Sequence, residues 1–446
     1  MDHTKTSSLP KVRCIEFFSG IGGWSRALDL LFSSSSSSTC SSHFVEVCSA
    51  YDVNPNANAV YEHNYPNLKV STRSIVNIST KEIDALKADM WVMSPPCQPF
   101  TRNNETQNRD SQDSRSDALI HLIHILQEIK RPPMYIALEN VVGFEASECC
   151  NLLLNALETM GYQYHEYQLT PTQFGIPNER PRYYLIASHV NKDTRSIGSS
   201  IRLERKIRHS LDFGQQEPIQ TLKVSSYINH VTENDLIINE DTLNKKSSWC
   251  LDIVHPDNYV TSCFTKSYSR YSKGTGSVLL IDANKGDYND ANDGLDQNNR
   301  SGTIKDTDER ETEFKRKRQI LDGDVDFNCG NNDVDNAELS MTSFLQELSR
   351  TPEERSFGAD WVHCLKNAQK ALRYFSPDEL LSLFAFNTPK DHTATTQTLS
   401  RLDYLHTQSF AFPEGISRRK RYELIGNSVN VCVVAHLLMR LLSRPL

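Results

Sequence analysis

Apolar positions between residues 11 and 190 follow two spacings in turn. VRCIEFF (12–18), FVEVCSAYD (44–52), DMWVMS (89–94) and MYIALEN (134–140) are short apolar or alternating runs, the pattern of strands buried in a sheet. Between them WSRALDLLF (24–32), PNANAVYEHNY (55–65) and ALIHLIHILQEI (118–129) space apolar residues three and four apart, as one face of a helix requires. CCNLLLNALETM (149–160) is again helical, and YQYHEYQL (162–169) and RYYLIAS (182–188) return to strands. Strand and helix alternating over this length predict an α/β fold, a largely parallel sheet with helices on both faces. In such sheets ligands sit beyond the carboxyl ends of the strands.

The pattern weakens from 191 to 370, where polar residues dominate. Within that region 282–338 is rich in Asp, Asn and Gly and lacks periodicity, the composition of a disordered insertion. The serine tract at 33–38 predicts a lengthened surface loop. Regular structure resumes at SPDELLSLFAF (376–386), a capped helix start with acidic residues in its first turn. GNSVNVCVVAHLLMRLL (426–442) is a loop running into an apolar helix.

Several strand ends carry chemistry. The turn in FFSGIGGW (17–24) lets a ligand approach the backbone, although glycine turns also serve as plain tight connections. Asp52 ends the second run, where a carboxylate accepts ribose hydroxyls or faces the N-terminus of the next helix. MSPPCQPFTR (93–102) frames Cys97 with prolines, and a thiol held in a rigid loop at a strand end suits a nucleophile. Glu139 closes an apolar strand, a setting for a protonated acid or for a capping carboxylate. Arg180 and Arg182 in IPNERPRYYLI (176–186) share one face of an extended chain; they fit a grip on the thiolate and on a phosphate or pyrimidine oxygen, or a solvated pair.

Charge adds one distinction. The net charge of −8 is matched by 282–338 alone, with sixteen acidic and eight basic residues, so the rest of the chain is neutral overall and can still carry a basic face. Eleven cysteines form no C-x-x-C pair, which predicts reduced thiols in a cytoplasmic or nuclear protein and no metal site. No run nears the roughly 18 apolar residues that cross a bilayer, so no membrane partner is expected. The amino-terminal segment lacks the apolar core of a signal peptide.

The order of these elements, glycine turn, Asp52, Pro-Pro-Cys-Gln, Glu-Asn-Val, Arg-x-Arg and GNSVNV, resembles the cytosine-5 methyltransferase family over residues 11–190 and 371–446. The resemblance implies a Rossmann-like sheet binding S-adenosyl-L-methionine, with a smaller target-recognition domain inserted. The catalytic domain would comprise 1–190 and 371–446, and the recognition domain 191–370. Cys97 would attack carbon 6 of a flipped cytosine while Glu139 acts at ring nitrogen 3, assisted by Arg180 and Arg182. Phe18, Ile21, Gly22 and Gly23 would border the cofactor, Asp52 its ribose, and Val53, Ile75 and Val76 its adenine. Ser94, Asn427 and Ser428 would lie near its methionine end.

TSCFTKSYSRYSKGTGSVL (261–279) looks like the signature of the branch that modifies aspartate tRNA, and Asn178, where DNA-modifying relatives tend to have glutamine, fits it. Lys266, Tyr268, Arg270, Tyr271 and Lys273 interleave aromatic and basic side chains as an unpaired RNA loop requires, a mix that ordinary strand surfaces also show. The expected partner is therefore tRNA, methylated at a cytosine of its anticodon loop. DNA as substrate, or an inactive cofactor-binding protein, are the rivals. KRKR at 315–318 matches a nuclear signal, a short and weak one.

Overall fold

The computed structural model describes residues 11–32, 44–96, 116–189, 205–211, 219–229, 234–282, 369–389 and 409–443. The serine tract, Cys97, the acidic stretch from 283 onward and the KRKR run lie outside the described residues. The apolar runs form β1 (Lys11–Phe17), β2 (Phe44–Tyr51), β4 (Met90–Met93), β5 (Tyr135–Val141), β6 (Tyr162–Leu169) and β7 (Arg182–His189). Two short strands, β3 (Val70–Ser71) and β8 (Ile207–Arg208), complete one sheet in the order β3-β2-β1-β4-β5-β7-β6-β8.

From β3 to β5 every pairing is parallel. β7 runs antiparallel to both neighbours, β5 and β6. No α-helix separates β6 from β7, so the chain lacks the crossover that would restore a parallel direction.

The period-two alternation of β1 divides its side chains between two cores. Val12 and Cys14 join one, with helices α1 (Gly23–Phe32), α2 (Pro55–Asn64) and α9 (Val431–Ser443). Ile15 and Phe17 join the other, against α3 (Thr80–Leu86), α4 (Asp117–Glu128) and α5 (Glu148–Thr159). α4 buries Leu119, Leu122, Ile123 and Leu126, one stripe at helical spacing. Its neighbour α3 starts at a reciprocal cap between Ser79 and Glu82.

A second sheet has the order β11-β10-β9, from β9 (Asp252–Val254), β10 (Ser277–Asp282) and β11 (Lys370–Arg373), with α6 (Glu240–Leu243) beside it. Leu243, Val278, Leu280 and Leu372 form its core. A buried ion pair ties it to α7 (Pro377–Leu383): Arg373 Nη2 lies 2.7 Å from Glu379 Oε1. The stretch Arg418–Ser443 has the length and apolarity of a membrane span, but 78% of its apolar window is buried. Residues 427–430 also divide it into α8 (Arg418–Gly426) and α9.

Candidate active site

The carboxyl ends of β1, β2, β4 and β5 open into one cavity of about 440 Å³. Its floor is the glycine turn after β1. Phe18, Gly20 and Gly22 all take left-handed backbone angles, with φ of 54°, 53° and 91°. Gly22 and Gly23 are glycine because of packing: a Cβ on Gly22 would stand 3.0 Å from the Tyr61 ring, and one on Gly23 2.5 Å from Val429 Cγ2. A Cβ on Gly20 would meet only open space, and Gly20 lines the cavity. Asp52 clamps the turn, its Oδ2 accepting from Gly20 N and its Oδ1 from Asn54 N, both at 2.8 Å. Burial pushes the Asp52 carboxyl up and the two N–H donors pull it down; burial prevails.

Trp24, in the first turn of α1, reaches across to β4 and donates from Nε1 to Ser94 Oγ at 2.9 Å. Ser94, Pro95 and Pro96 line the wall, and the next residue in the chain is Cys97. Asn140 Nδ2 donates to Pro95 O at 3.4 Å, so β5 steadies the proline segment.

Glu139 sits beside Asn140, 8% exposed. Burial raises its carboxyl above the usual range, against the pull of Arg182 and Arg180. Arg182 Nε lies 3.5 Å from Glu139 Oε1. Cys263 Sγ accepts from Arg180 Nη1 at 3.4 Å and from Arg182 Nη2 at 3.7 Å. Burial pushes this thiol up, yet the two guanidinium groups outweigh burial and hold it below its ordinary value.

The two arginines divide their tasks, which corrects the expectation of a paired anion grip. Arg180 spends its guanidinium on backbone: Nη1 donates to Phe264 O at 2.8 Å, and Nη2 to Gly426 O and Ser428 O at 3.0 and 2.9 Å. It therefore staples β7's approach, the 261–276 loop and the turn after α8. Its neighbour Arg182 keeps the contact with Glu139.

The family model for C-5 cytosine-specific DNA methylase matches residues 12–443. The chain belongs to this family. A tRNA (cytosine(38)-C(5))-methyltransferase of Homo sapiens is 30% identical over 477 residues, covering 96% of this chain and 98% of its own. A DNA (cytosine-5)-methyltransferase of Dictyostelium discoideum is 33% identical over 63% of this chain and 79% of its own. The crystal structure of the S. pombe Dnmt2 methyltransferase superposes with a TM-score of 0.59 at 25% identity, covering 97% of this chain and 98% of that one.

For this C-5 cytosine methyltransferase, the cavity gathers most residues marked in the sequence. Phe18, Gly23, Asp52, Val53, Ile75, Ser94, Asn427, Ser428, Glu139, Arg180, Arg182 and Lys266 line it. Ile21 does not; it is buried in the core on α1's side of the sheet. Gly22 packs on Tyr61, and Val76 turns outward at 41% exposure. In the 261–276 loop, Lys266, Arg270 and Lys273 are exposed and Tyr271 is 55% exposed beneath the Arg270 guanidinium. Tyr268 corrects the expectation of a base-stacking ring. It is 2% exposed, its hydroxyl donating to Ser277 O at 2.7 Å and accepting from Phe375 N at 2.9 Å. Asn178 is buried as well, donating from Nδ2 to Thr261 Oγ1 and Ser262 O.

Sequence reasoning missed Trp24, Cys263, Leu424 and Gly426. Trp24 had a signal, since it directly follows the glycines. Gly426 has a packing cause: a Cβ there would stand 2.3 Å from Lys266 N, so only glycine lets α8 end against the 261–276 loop. Among the described residues no group of His, Cys, Asp or Glu could hold a metal ion.

Proposed function

We propose that this enzyme transfers a methyl group from S-adenosylmethionine to carbon 5 of a cytosine in the anticodon loop of tRNA, aspartate tRNA being the expected species. What carries this reading is the human tRNA methyltransferase's similarity over 96% of the chain, recognition region included.

The cavity suits the cofactor. Ser19 is 5% exposed on its wall, and its hydroxyl has no partner among the described residues. That orphaned group and the open space above Gly20 are what a polar ligand would fill. Asp52 would accept the ribose hydroxyls, Phe18, Val53 and Ile75 would flank the adenine, and Ser94, Asn427 and Ser428 would meet the amino acid end. Bound there, S-adenosylmethionine supplies the methyl group that carbon 5 takes.

The chain's own residues make the cytosine reactive. Cys97, following Pro95 and Pro96, would form a bond from its thiolate sulfur to carbon 6. Glu139, its carboxyl raised by burial, would in its acid form donate to ring nitrogen 3 and draw electrons from the ring. Arg182 would hold that carboxyl in place and face the pyrimidine oxygen. After methylation, water in the cavity takes the carbon 5 proton, the freed electron pair forms the carbon 5–carbon 6 double bond, and the carbon–sulfur bond breaks with Cys97 leaving as thiolate. Lys266, Arg270 and Lys273 would meet tRNA phosphates, with Tyr271 stacking on a base.

Labelled methyl transfer to purified aspartate tRNA and to duplex DNA, side by side, tests the reading. Incorporation into tRNA is expected. Incorporation into DNA alone would favour the DNA methyltransferase, and incorporation into neither would leave a nucleic-acid-binding protein.

A further inference from the structure

Glu16 is wholly buried on β1 and lies on none of the cavity's walls. Its Oε2 accepts from Ser25 Oγ at 2.6 Å and from Tyr61 OH at 3.0 Å. The backbone N–H groups of Trp24 and Ser25, in the first turn of α1, lie near enough to favour its ionised form. Oε1 has no partner among the described residues, and no cation pairs with the group there.

This carboxyl touches two residues that shape the cavity. Ser25 gives its hydroxyl to Glu16, and Trp24, the residue before it in α1, gives its indole N–H to Ser94. Tyr61 gives its hydroxyl to Glu16 and its ring to Gly22, whose absent Cβ leaves room for it. We propose that Glu16 is a positioning residue for the cofactor: from beneath the glycine turn it sets where Trp24, Gly22 and Ser94 stand.

The arrangement works with a neutral carboxyl. Cys14 on β1, Ser25 on α1, and Tyr61 and Tyr65 on α2 interact with it directly, while Arg26 and Asp29 of α1 act on Tyr65 and Cys48 of β2 acts on Cys14. Arg26, the cation among them, donates its Nε to Phe386 O. Burial raises Glu16 from 4.5 to about 7, opposed by the Ser25, Tyr61, Trp24 and Ser25 hydrogen bonds. A carboxyl raised in the fold contributes stability that is complete below its ordinary value and lost as pH rises through about 7. Ionised, it would place an unpaired negative charge under the end of the cavity that receives the cofactor's own carboxylate.

The test is calorimetric binding of S-adenosylmethionine, without RNA, between about pH 6 and about pH 8.5, alongside melting of the cofactor-free enzyme. At the upper pH only a few per cent of Glu16 stays neutral, so wild-type affinity is expected to weaken about tenfold or more, and Glu16→Gln to lose that weakening. Tyr61→Phe removes a bond that favours the ionised form while keeping the ring under Gly22, so its weakening should move to higher pH. Cofactor-free wild type should lose melting temperature over the same interval and Glu16→Gln should not. Equal pH dependence of binding in wild type and Glu16→Gln, or an unmoved midpoint in Tyr61→Phe, would overturn the proposal. The binding arm rests on the methyl-transfer reading: no binding at any pH would strike that reading and this inference together, whereas the cofactor-free melts follow Glu16 independently.

Discussion

Arg180→Ala separates an architectural from a catalytic arginine. The substitution strips the donors from Phe264 O, Gly426 O and Ser428 O, which the guanidinium holds at 2.8 to 3.0 Å. Each buried group left unpaired costs about 1–3 kcal/mol. Water entering the vacated space would satisfy some of them, so the lower half of the range applies and the three sum to about 3–6 kcal/mol. The guanidinium also stands 4.8 Å from the buried Phe384 ring centre, a desolvated contact that adds about 2 kcal/mol. Arg180→Lys keeps the charge but presents a point donor without the fork, and should lose about 2 kcal/mol. Urea denaturation would read both variants as lowered midpoints with an unchanged slope. Arg180→Ala unfolding at the wild-type midpoint while losing methyl transfer would refute this reasoning and return Arg180 to the substrate.

Gly426→Ala drives a Cβ to within 2.3 Å of Lys266 N, backbone that cannot swing aside, so it should cost about 1–3 kcal/mol and depress methyl transfer; wild-type melting and activity would contradict this. Asp52→Ala removes the clamp on Gly20 and the proposed ribose acceptor, and should weaken cofactor binding by about 1–3 kcal/mol by calorimetry, an unchanged affinity being the contrary result. Glu139 has a raised carboxyl, so its acid form survives above the usual range and methyl transfer should decline as pH rises through its folded value. Arg182→Gln removes the charge that opposes burial and should move that decline to higher pH; a decline left in place would disconnect Arg182 from Glu139.

The strands around the cavity were legible because each is an apolar run ended by an unusual residue: Phe17 before the glycines, Tyr51 before Asp52, Met93 before Ser94, Leu138 before Glu139. The reversal of β7 was not legible, since a strand buried on both faces carries no sign of its direction. α8 also escaped: it is largely basic and polar and buries only Tyr422, Leu424 and Ile425. Asp52 and Glu139 could be placed because each carboxylate closes an apolar run at the carboxyl end of a strand. Arg180 and Tyr268 misled for a common reason. Their partners are backbone groups of Phe264, Gly426, Ser428, Ser277 and Phe375, and backbone partners leave no trace in residue identity.

The central claim is that Cys97 bonds to a tRNA cytosine in the cavity that Glu139 and the glycine turn share. Its most direct test is an aspartate tRNA carrying 5-fluorocytosine, which cannot lose the substituent at carbon 5, incubated with enzyme and S-adenosylmethionine and resolved by denaturing electrophoresis. The account predicts a covalent enzyme–tRNA adduct with wild type and none with Cys97→Ala. An adduct that persists in Cys97→Ala, or one that forms on fluorinated duplex DNA while the tRNA stays free, would contradict it.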